Sequence, residues 1–486
     1  MTETAHKPVL WTAGDAAAAT RGRATCPWRA AGVSIDSRKI EPGDLFVAIQ
    51  GPNFDGHEFV AQALASGACA AMVSRVPAGV AADAPLLIVE ETLAALTDLG
   101  RAARARTQAR VIGVTGSVGK TGTKEALRHC LSAQGRTFAT EGSLNNHWGV
   151  PLSLARMPQD SEYAIFELGM NHAGELGPLS RLVRPEVAII TNVEAVHLEF
   201  FNTVESIADA KAEIFEGMDA NGTAVLNRDN PHFAHLVRAA RRHGLTRVLG
   251  FGSHGDAEAR LIEYSLHATC SAVTAVFGSE RIQYSLSLPG KHWVMNSLGV
   301  LLAVRASGGD LATAARALST LQPVKGRGTR KRVQLAHGAF TLIDESYNAS
   351  PVSVAASIEV LGKVDPGASG RRIAVLGDMR ELGAKADALH AGLITPLRGA
   401  HIDTVYCCGP HMRALWERLP AAMRGKYAND SKELAPLLAA DVRGGDVVLV
   451  KGSAGSRMGL VVEALATLEH RPEDTRPQAA ANGQRG

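Results

Sequence analysis

The stretch Arg110-Val111-Ile112-Gly113-Val114-Thr115-Gly116-Ser117-Val118-Gly119-Lys120-Thr121-Gly122-Thr123-Lys124 constrains the fold more than any other part of this chain. Its apolar, β-branched start reads as a buried strand. The strand stops at a small glycine-containing loop, and residues 120–133 then place Ala126, Leu127, Cys130 and Leu131 at helical spacing. Strand, glycine loop, Lys-Thr and helix, in that order, form the layout of a phosphate-binding loop. Glycines let backbone N–H groups turn toward an anion, and a helix N-terminus adds partial positive charge. Lys120 has the reach for β- and γ-phosphates, and the Thr121 hydroxyl suits Mg²⁺. The match to G-x-x-x-x-G-K-[ST] is imperfect, because Val114 holds the first glycine position and the glycines are Gly113 and Gly116. A plain Gly-rich turn between a strand and a helix is the competing reading. It does not account for Lys-Thr falling where the helix begins.

At 486 residues the chain exceeds one ordinary core, and about two to four domains are expected. Hydrophobic residues make up 46%, charged residues 20%, and the net charge is +3, a globular composition that does not require a nucleic-acid-binding face. One basic cluster stands out: Lys325, Arg327, Arg330, Lys331 and Arg332. It reads equally as a solvated hinge and as a phosphate-binding segment. No apolar run approaches the roughly 18 residues of a membrane span, and no basic patch followed by an apolar run marks a leader. The 6 cysteines are scattered and read as buried thiols. A cytoplasmic protein without membrane insertion is expected.

Taken in order, residues 1–105 read as a small α/β unit. Pro42-Gly43-Asp44-Leu45-Phe46-Val47-Ala48-Ile49 is a turn and a strand, and Gly51-Pro52-Asn53-Phe54-Asp55-Gly56-His57 is a polar loop. Residues 106–325 carry short apolar strands alternating with helical stretches, the pattern of a parallel sheet. Tyr163-Ala164-Ile165-Phe166-Glu167-Leu168 ends in an acid, and Val187-Ala188-Ile189-Ile190-Thr191-Asn192-Val193 leads into Glu194 and His197. Polar groups just past strand C-termini lie where open α/β sheets bind ligands, so Glu167 and His197 are expected at the same edge as Lys120. Residues 261–288 alternate polar and apolar and predict antiparallel edge hairpins. His292 and Asn296 share one face of the helix expected next. Residues 326–470 form a second α/β unit, whose strands end in Asp344-Glu345-Ser346-Tyr347-Asn348, Gly377-Asp378-Met379-Arg380-Glu381-Leu382 and Lys451-Gly452-Ser453. Residues 471–486, rich in Pro, Gly, Ala and charge, read as a disordered tail.

Several of these stretches resemble one family. The loop Thr115-Gly116-Ser117-Val118-Gly119-Lys120-Thr121, the run Leu144-Asn145-Asn146-His147-Trp148-Gly149-Val150-Pro151, Glu167, His197 and Asp209-Ala210-Lys211 resemble the Mur ligases of peptidoglycan synthesis. The likeness spans nearly the whole chain. In its C-terminal part, Asp344-x-x-Tyr347-Asn348-Ala349-x-Pro351, Gly377-Asp378-Met379-x-Glu381-Leu382 and Lys451-Gly452-Ser453 are similar to the member whose amine substrate is a dipeptide. The resemblance implies an α/β fold in three domains: a small precursor-binding domain, a central parallel-sheet P-loop ATPase domain and a C-terminal Rossmann-like domain. It implies an enzyme that uses ATP and Mg²⁺ to join D-alanyl-D-alanine to a UDP-muramyl-tripeptide through an acyl phosphate; a monomer is expected, though the sequence does not give the oligomeric state.

The same resemblance implies residue roles. Thr115, Gly116, Ser117, Val118, Gly119, Lys120, Thr121 and Gly122 would hold the ATP phosphates, with His292 and Asn296 toward the adenine and Arg327 and Asp344 reaching the nucleotide from the third domain. Thr121, Glu167, His197 and Lys211 would form the metal shell, Lys211 as a carbamate. Lys120, Lys211, His197 and Glu167 are the expected catalytic set. Ser37, Arg38, Asn53, His57, Asn145 and Asn146 would meet the UDP-precursor, and Asn348, Asp378 and Lys451 the dipeptide end. The runner-up is the muramyl ligase that adds a diamino acid. Its Asp-Asn-Pro-Arg motif has only a partial and misplaced counterpart in Asp229-Asn230-Pro231-His232. Folylpolyglutamate synthetase shares the chemistry but lacks the first domain. A P-loop switch protein would not need a third domain that sends an arginine to the nucleotide.

Overall fold

The computed structural model describes residues 8–81, 83–367 and 369–469. The tail expected at 471–486 lies outside the described residues. Strands and helices alternate along the chain and assort into sheets of five, nine and six strands, with a two-stranded ribbon, Trp11–Thr12 against Arg29–Ala30, beside the first. Each large sheet is mainly parallel and has helices packed on it, as expected for βαβ connections.

The nine-stranded sheet is the centre of the molecule. From one edge it runs Glu280–Leu286, Ser271–Phe277, Ala259–Leu266, Arg247–Gly252, Thr223–Asn227, Val187–Ile190, Arg110–Thr115, Tyr163–Glu167 and Thr137–Ala139. The first three pair antiparallel, as the alternation in 261–288 predicts, and the remaining neighbours are parallel. Arg110–Thr115 lies between Val187–Ile190 and Tyr163–Glu167, so later strands are added on both of its sides. That makes the end of Arg110–Thr115 a topological switch point, where the connections diverge and leave a crevice. Separate apolar cores fill the two faces of this sheet. Helix Lys291–Ala306 closes one face. It lies so near the sheet that a Cβ on Gly299 would stand 3.0 Å from both Ile189 Cδ1 and Phe251 Cε1.

The six-stranded sheet runs Thr329–Gln334, Ala339–Glu345, Val447–Lys451, Arg372–Gly377, Thr404–Cys408, Arg424–Ala428, and all but the first strand are parallel to their neighbours. For three of the basic cluster's five residues the hinge reading is corrected; Lys325 and Arg327 stay in the irregular segment that leads into the sheet. Arg330, Lys331 and Arg332 lie in an edge strand, antiparallel to Ala339–Glu345. Charged side chains suit an edge because they discourage further strand pairing. The cysteines are likewise less uniform than expected: Cys130, Cys407 and Cys408 are buried, whereas Cys26, Cys69 and Cys270 are partly exposed.

The N-terminal sheet is joined to the central one through a shared core. Leu152 and Ala155, on helix Gly149–Arg156, pack with Trp11, Leu96 and Leu99. The Trp11 indole N–H donates to the Ala155 carbonyl at 2.8 Å, and the Arg106 guanidinium sits 4.0 Å over the Trp11 ring. Between the C-terminal domain and the centre, Val360 lies against Gly290, where a Cβ would be 3.0 Å from Val360 Cγ2, and polar contacts tie the two as well. They include Tyr347 to Ser143 at 2.5 Å and Glu381 to His197 at 2.5 Å.

Phe251 is fully buried in the core that helix Lys291–Ala306 closes. Phe251→Ala is expected to destabilise the central domain by about 3–5 kcal/mol through lost transfer energy and a residual cavity. Urea unfolding followed by far-UV circular dichroism measures it.

Candidate active site

The crevice at the switch point opens into a cleft of about 1680 Å³ between the central and C-terminal sheets. Its floor is the turn from Arg110–Thr115 into helix Lys120–Ser132. Gly119 is the N-cap of that helix, with φ of 85° and no side-chain cap. The first-turn N–H groups therefore face the cleft without an intrahelical acceptor. The neighbouring strand end braces the loop: Ser117 N–H donates to the Asn192 carbonyl at 3.1 Å, and Val118 N–H to Asn192 Oδ1 at 3.0 Å. Thr191 Oγ1 donates to the Val118 carbonyl at 2.6 Å. That bracing leaves no room for a side chain at 116, where φ is 147° and a Cβ would lie 1.9 Å from Thr191 Oγ1. At Gly119 a Cβ would lie 2.8 Å from Asn296 Nδ2, which places Asn296 against the loop.

Lys120 Nζ donates to the Gly116 carbonyl at 2.8 Å. Burial lowers its pKa, Glu167 opposes that shift, and Arg327 adds to it. Arg327, from the segment leading into the C-terminal sheet, lies 4.2 Å over the Tyr347 ring and lines the same cleft. Glu167 stands beside the loop because its strand pairs with Arg110–Thr115, Glu167 opposite Val114. One oxygen, Oε1, accepts from Asn145 Nδ2 at 2.7 Å, while Oε2 is buried with no hydrogen-bond partner among the described residues. An unpartnered buried carboxylate oxygen calls for a cation. The Thr121 hydroxyl lies in the same cleft. One carboxylate and one hydroxyl, completed by phosphate oxygens and water, form a donor set of the kind Mg²⁺ uses, so the residues present fit that ion.

Other predicted residues divide by position. Ser117, Val118, Gly119, Lys120, Thr121, Gly122, Asn145, Asn146, His197, His292, Asn296, Asn348 and Lys451 line the cleft. Lys451 Nζ donates to Glu345 Oε2 and to the Asn348 carbonyl, both at 3.1 Å. Thr115 is buried directly beneath the loop, its hydroxyl unpartnered. Lys211 lies on helix Val204–Ala212 with 2% exposure and has no ion pair among the described residues. Burial, and next the charge of Lys120, hold its pKa well below the usual lysine value. Asp344 is turned inward and accepts from the Ser346 N–H at 3.0 Å and the Ser346 hydroxyl at 2.6 Å. Asp378 accepts from the His411 and Met412 N–H groups at the start of helix Met412–Arg418, the arrangement of a capping residue.

Ser37, Arg38, Asn53 and His57 belong to the N-terminal domain, away from the walls of this cleft. Arg38 pairs with Asp36 at 2.8 and 2.9 Å. His57 is buried. Its Nδ1 donates to Asp55 at 2.7 Å and its Nε2 accepts the Ser74 N–H at 2.9 Å, so the ring shapes the 53–57 loop from within. Residues that sequence reasoning gave no role also line the cleft, among them Glu194, Glu345, Tyr347, Arg380 and Glu381. Their signal was the polar run after each strand, which does not say which members face inward.

A switch-point P-loop, an acid beside it and an arginine from a second α/β domain define a nucleotide-using α/β protein whose cleft lies between domains. Three family models match the chain: "Mur ligase family, catalytic domain" over residues 29–104, "Mur ligase middle domain" over 114–304, and "Mur ligase, glutamate ligase domain" over 331–454. A UDP-N-acetylmuramoyl-tripeptide--D-alanyl-D-alanine ligase of Escherichia coli is 37% identical over 435 residues, 89% of this chain and 93% of that protein. A crystal structure of MurF from Acinetobacter baumannii superposes with a TM-score of 0.80 at 31% identity, covering 94% of this chain and 99% of the other. A MurF ligase of Thermotoga maritima in complex with ADP gives 0.73 at 29%, covering 90% and 97%. The chain belongs to the Mur ligase family.

Gly116→Ala is expected to weaken ADP binding by tenfold or more, since a side chain at this φ costs about 1–3 kcal/mol before any clash with Thr191. Isothermal titration with ADP, beside a circular dichroism spectrum matching the parent, measures it. Unchanged affinity would show that the loop tolerates a Cβ.

Proposed function

We propose that this protein is the ligase that joins D-alanyl-D-alanine to UDP-N-acetylmuramoyl-tripeptide with consumption of ATP. The observation that carries this is the 37% identity with the Escherichia coli ligase over 89% of the chain. The cleft suits the chemistry. A carboxylate is a poor acyl donor, so its oxygen attacks the γ-phosphorus, the bond to the β-phosphate oxygen breaks, and ADP leaves. The dipeptide amine then attacks the acyl carbon, and phosphate departs with the electron pair of the acyl–oxygen bond. The amine's proton passes to solvent or to a basic group of the cleft. Anions must meet in both steps, so positioned cations account for much of the catalysis.

In this reading Lys120 and the first turn of helix Lys120–Ser132 hold the β- and γ-phosphates, and Arg327 meets them from the C-terminal side. His292 and Asn296 border the adenine, with Asp344 supporting the segment that carries Arg327. Glu167, Thr121 and His197 hold Mg²⁺, which when bound neutralises phosphate charge. Asn145 steers Glu167, and Asn146 borders the muramyl-peptide. Ser37, Arg38 and the 53–57 loop receive the UDP end. Asn348 and Lys451 face the dipeptide, with Asp378 shaping the loop beside them. Lys211, buried without an acidic partner, is biased toward the neutral amine that reacts with CO₂, and the resulting carbamate supplies an anion to the metal side. Water-soluble substrates fit a cytoplasmic enzyme; no helix among the described residues is long and apolar enough to cross a membrane.

Phosphate release should require ATP, UDP-muramyl-tripeptide and D-alanyl-D-alanine together, each omission returning the rate to background. Steady ATP turnover without the dipeptide would overturn the reading. Lys120→Ala should reduce turnover by about 10²–10³-fold, the usual loss when a charge-stabilising group is removed. Lys211→Ala should be nearly inactive and partly restored by a short carboxylic acid in the buffer. Full activity in Lys211→Ala would exclude the carbamate.

A further inference from the structure

Glu381 shares a motif with Asp378, yet the proposed reaction leaves it without a task. It follows strand Arg372–Gly377 of the C-terminal sheet, yet its Oε2 lies 2.5 Å from Nδ1 of His197, which follows strand Val187–Ile190 of the central sheet. Both backbones are left-handed, with φ of 63° at Glu381 and 55° at His197. Such conformations in non-glycine residues persist where the surroundings over-determine them, and they cluster at functional sites. Here they face one another across a domain boundary. A backbone tie accompanies the side-chain contact, since Glu199 N–H donates to the Glu381 carbonyl at 3.3 Å. Gly383, with φ of 57°, lets the chain pass close enough that a Cβ there would be 3.5 Å from Glu199 Cα.

A carboxylate only accepts hydrogen bonds, so in the neutral ring the contact places the proton on Nδ1 and leaves Nε2 as the acceptor. His197 lines the ATP cleft, where an accepting Nε2 is the state a metal shell or a water bound in it requires. We propose that Glu381 is a positioning residue that acts through His197. Supplied by the C-terminal domain, it sets the tautomer and orientation of a ring on the central domain, so that His197 is poised only when the two domains are docked. This deepens the ligase reading and rests on it.

The test uses full-length protein and the variants Glu381→Ala, Glu381→Gln, His197→Ala and Glu381→Ala/His197→Ala. Ligation kinetics are measured with all three substrates, and hydrogen exchange of residues 194–200 without ligand. Glu381→Ala is expected to lower kcat by about 10–100-fold, the usual cost of losing a partner that orients a ligating histidine, with KM for ATP unchanged. Glu381→Gln should recover most of the rate, because its amide oxygen accepts the same Nδ1 proton. The double variant should fall no further than His197→Ala alone, as for residues acting in one unit. Amides of 194–200 should exchange faster in Glu381→Ala than in the parent. The proposal is overturned by an unchanged kcat in Glu381→Ala, by no recovery in Glu381→Gln, by losses that multiply in the double variant, or by unchanged exchange. A parent protein that never consumes D-alanyl-D-alanine would defeat the ligase reading alone, because the exchange comparison needs no substrate and would still decide the contact.

Discussion

Like charge gathers at one end of the central sheet. Lys120 sits in the loop, Lys211 lies buried within reach of its field, and Arg327 arrives from the segment feeding the C-terminal sheet. Each of the two lysines is pushed toward its neutral form by burial and by a neighbouring cation. The fold tolerates this arrangement at a cost in stability, because charges brought together out of water repel and lose solvation. What offsets the cost is an anion. A triphosphate set beside Lys120 and Arg327 adds attractions that outweigh their mutual repulsion, and a carbamate at Lys211 would remove the third positive charge altogether. Glu167, with one oxygen tied to Asn145 and the other unpartnered, poses the complementary demand for a cation.

The way the domains are joined follows the same logic. The N-terminal sheet shares apolar side chains with helix Gly149–Arg156 of the centre, a contact that separation would expose to water. The C-terminal sheet meets the centre through polar contacts such as Tyr347 to Ser143 and Glu381 to His197, which water can replace at little cost. The N-terminal junction therefore carries more apolar burial than the C-terminal one, the asymmetry expected where one domain is held and another can hinge.

Much of this could be read from residue order, and the exceptions have physical causes. The loop was legible because strand, glycines, Lys-Thr and helix are contiguous, so the local pattern and the final geometry are the same object. The edge hairpins between 259 and 286 were legible because polar and apolar residues alternate there. Strand Thr329–Gln334 was not, since its edge position admits charged residues and erases the alternation. Strands Thr137–Ala139 and Arg424–Ala428 passed unnoticed because one has too few residues to show a period and the other is largely polar. Among site residues, Asp378 and Glu381 stood in one motif and could not be distinguished by sequence. One caps helix Met412–Arg418, while the other reaches a histidine 184 residues away. A carboxylate's task is set by the donor it meets, and that donor lies elsewhere in the chain.

An acyl phosphate is open to water as well as to an amine, so forming it before the amine is in place would waste ATP. A catalyst that draws its phosphate loop from one domain, and a further phosphate-facing cation and an orienting carboxylate from another, ties the first step to the docking that shields the second. The contents of the cleft fit that division. The central domain supplies the loop, the acid and the histidine, and the C-terminal domain supplies Arg327, Lys451 and the carboxylate that holds the histidine. Neither set suffices by itself, because the first lacks a partner for His197 and the second lacks a phosphate loop. On the proposed roles, placing the halves of one site on two domains would make the chemistry conditional on their assembly, and the left-handed backbones at 197 and 381 lie at that boundary.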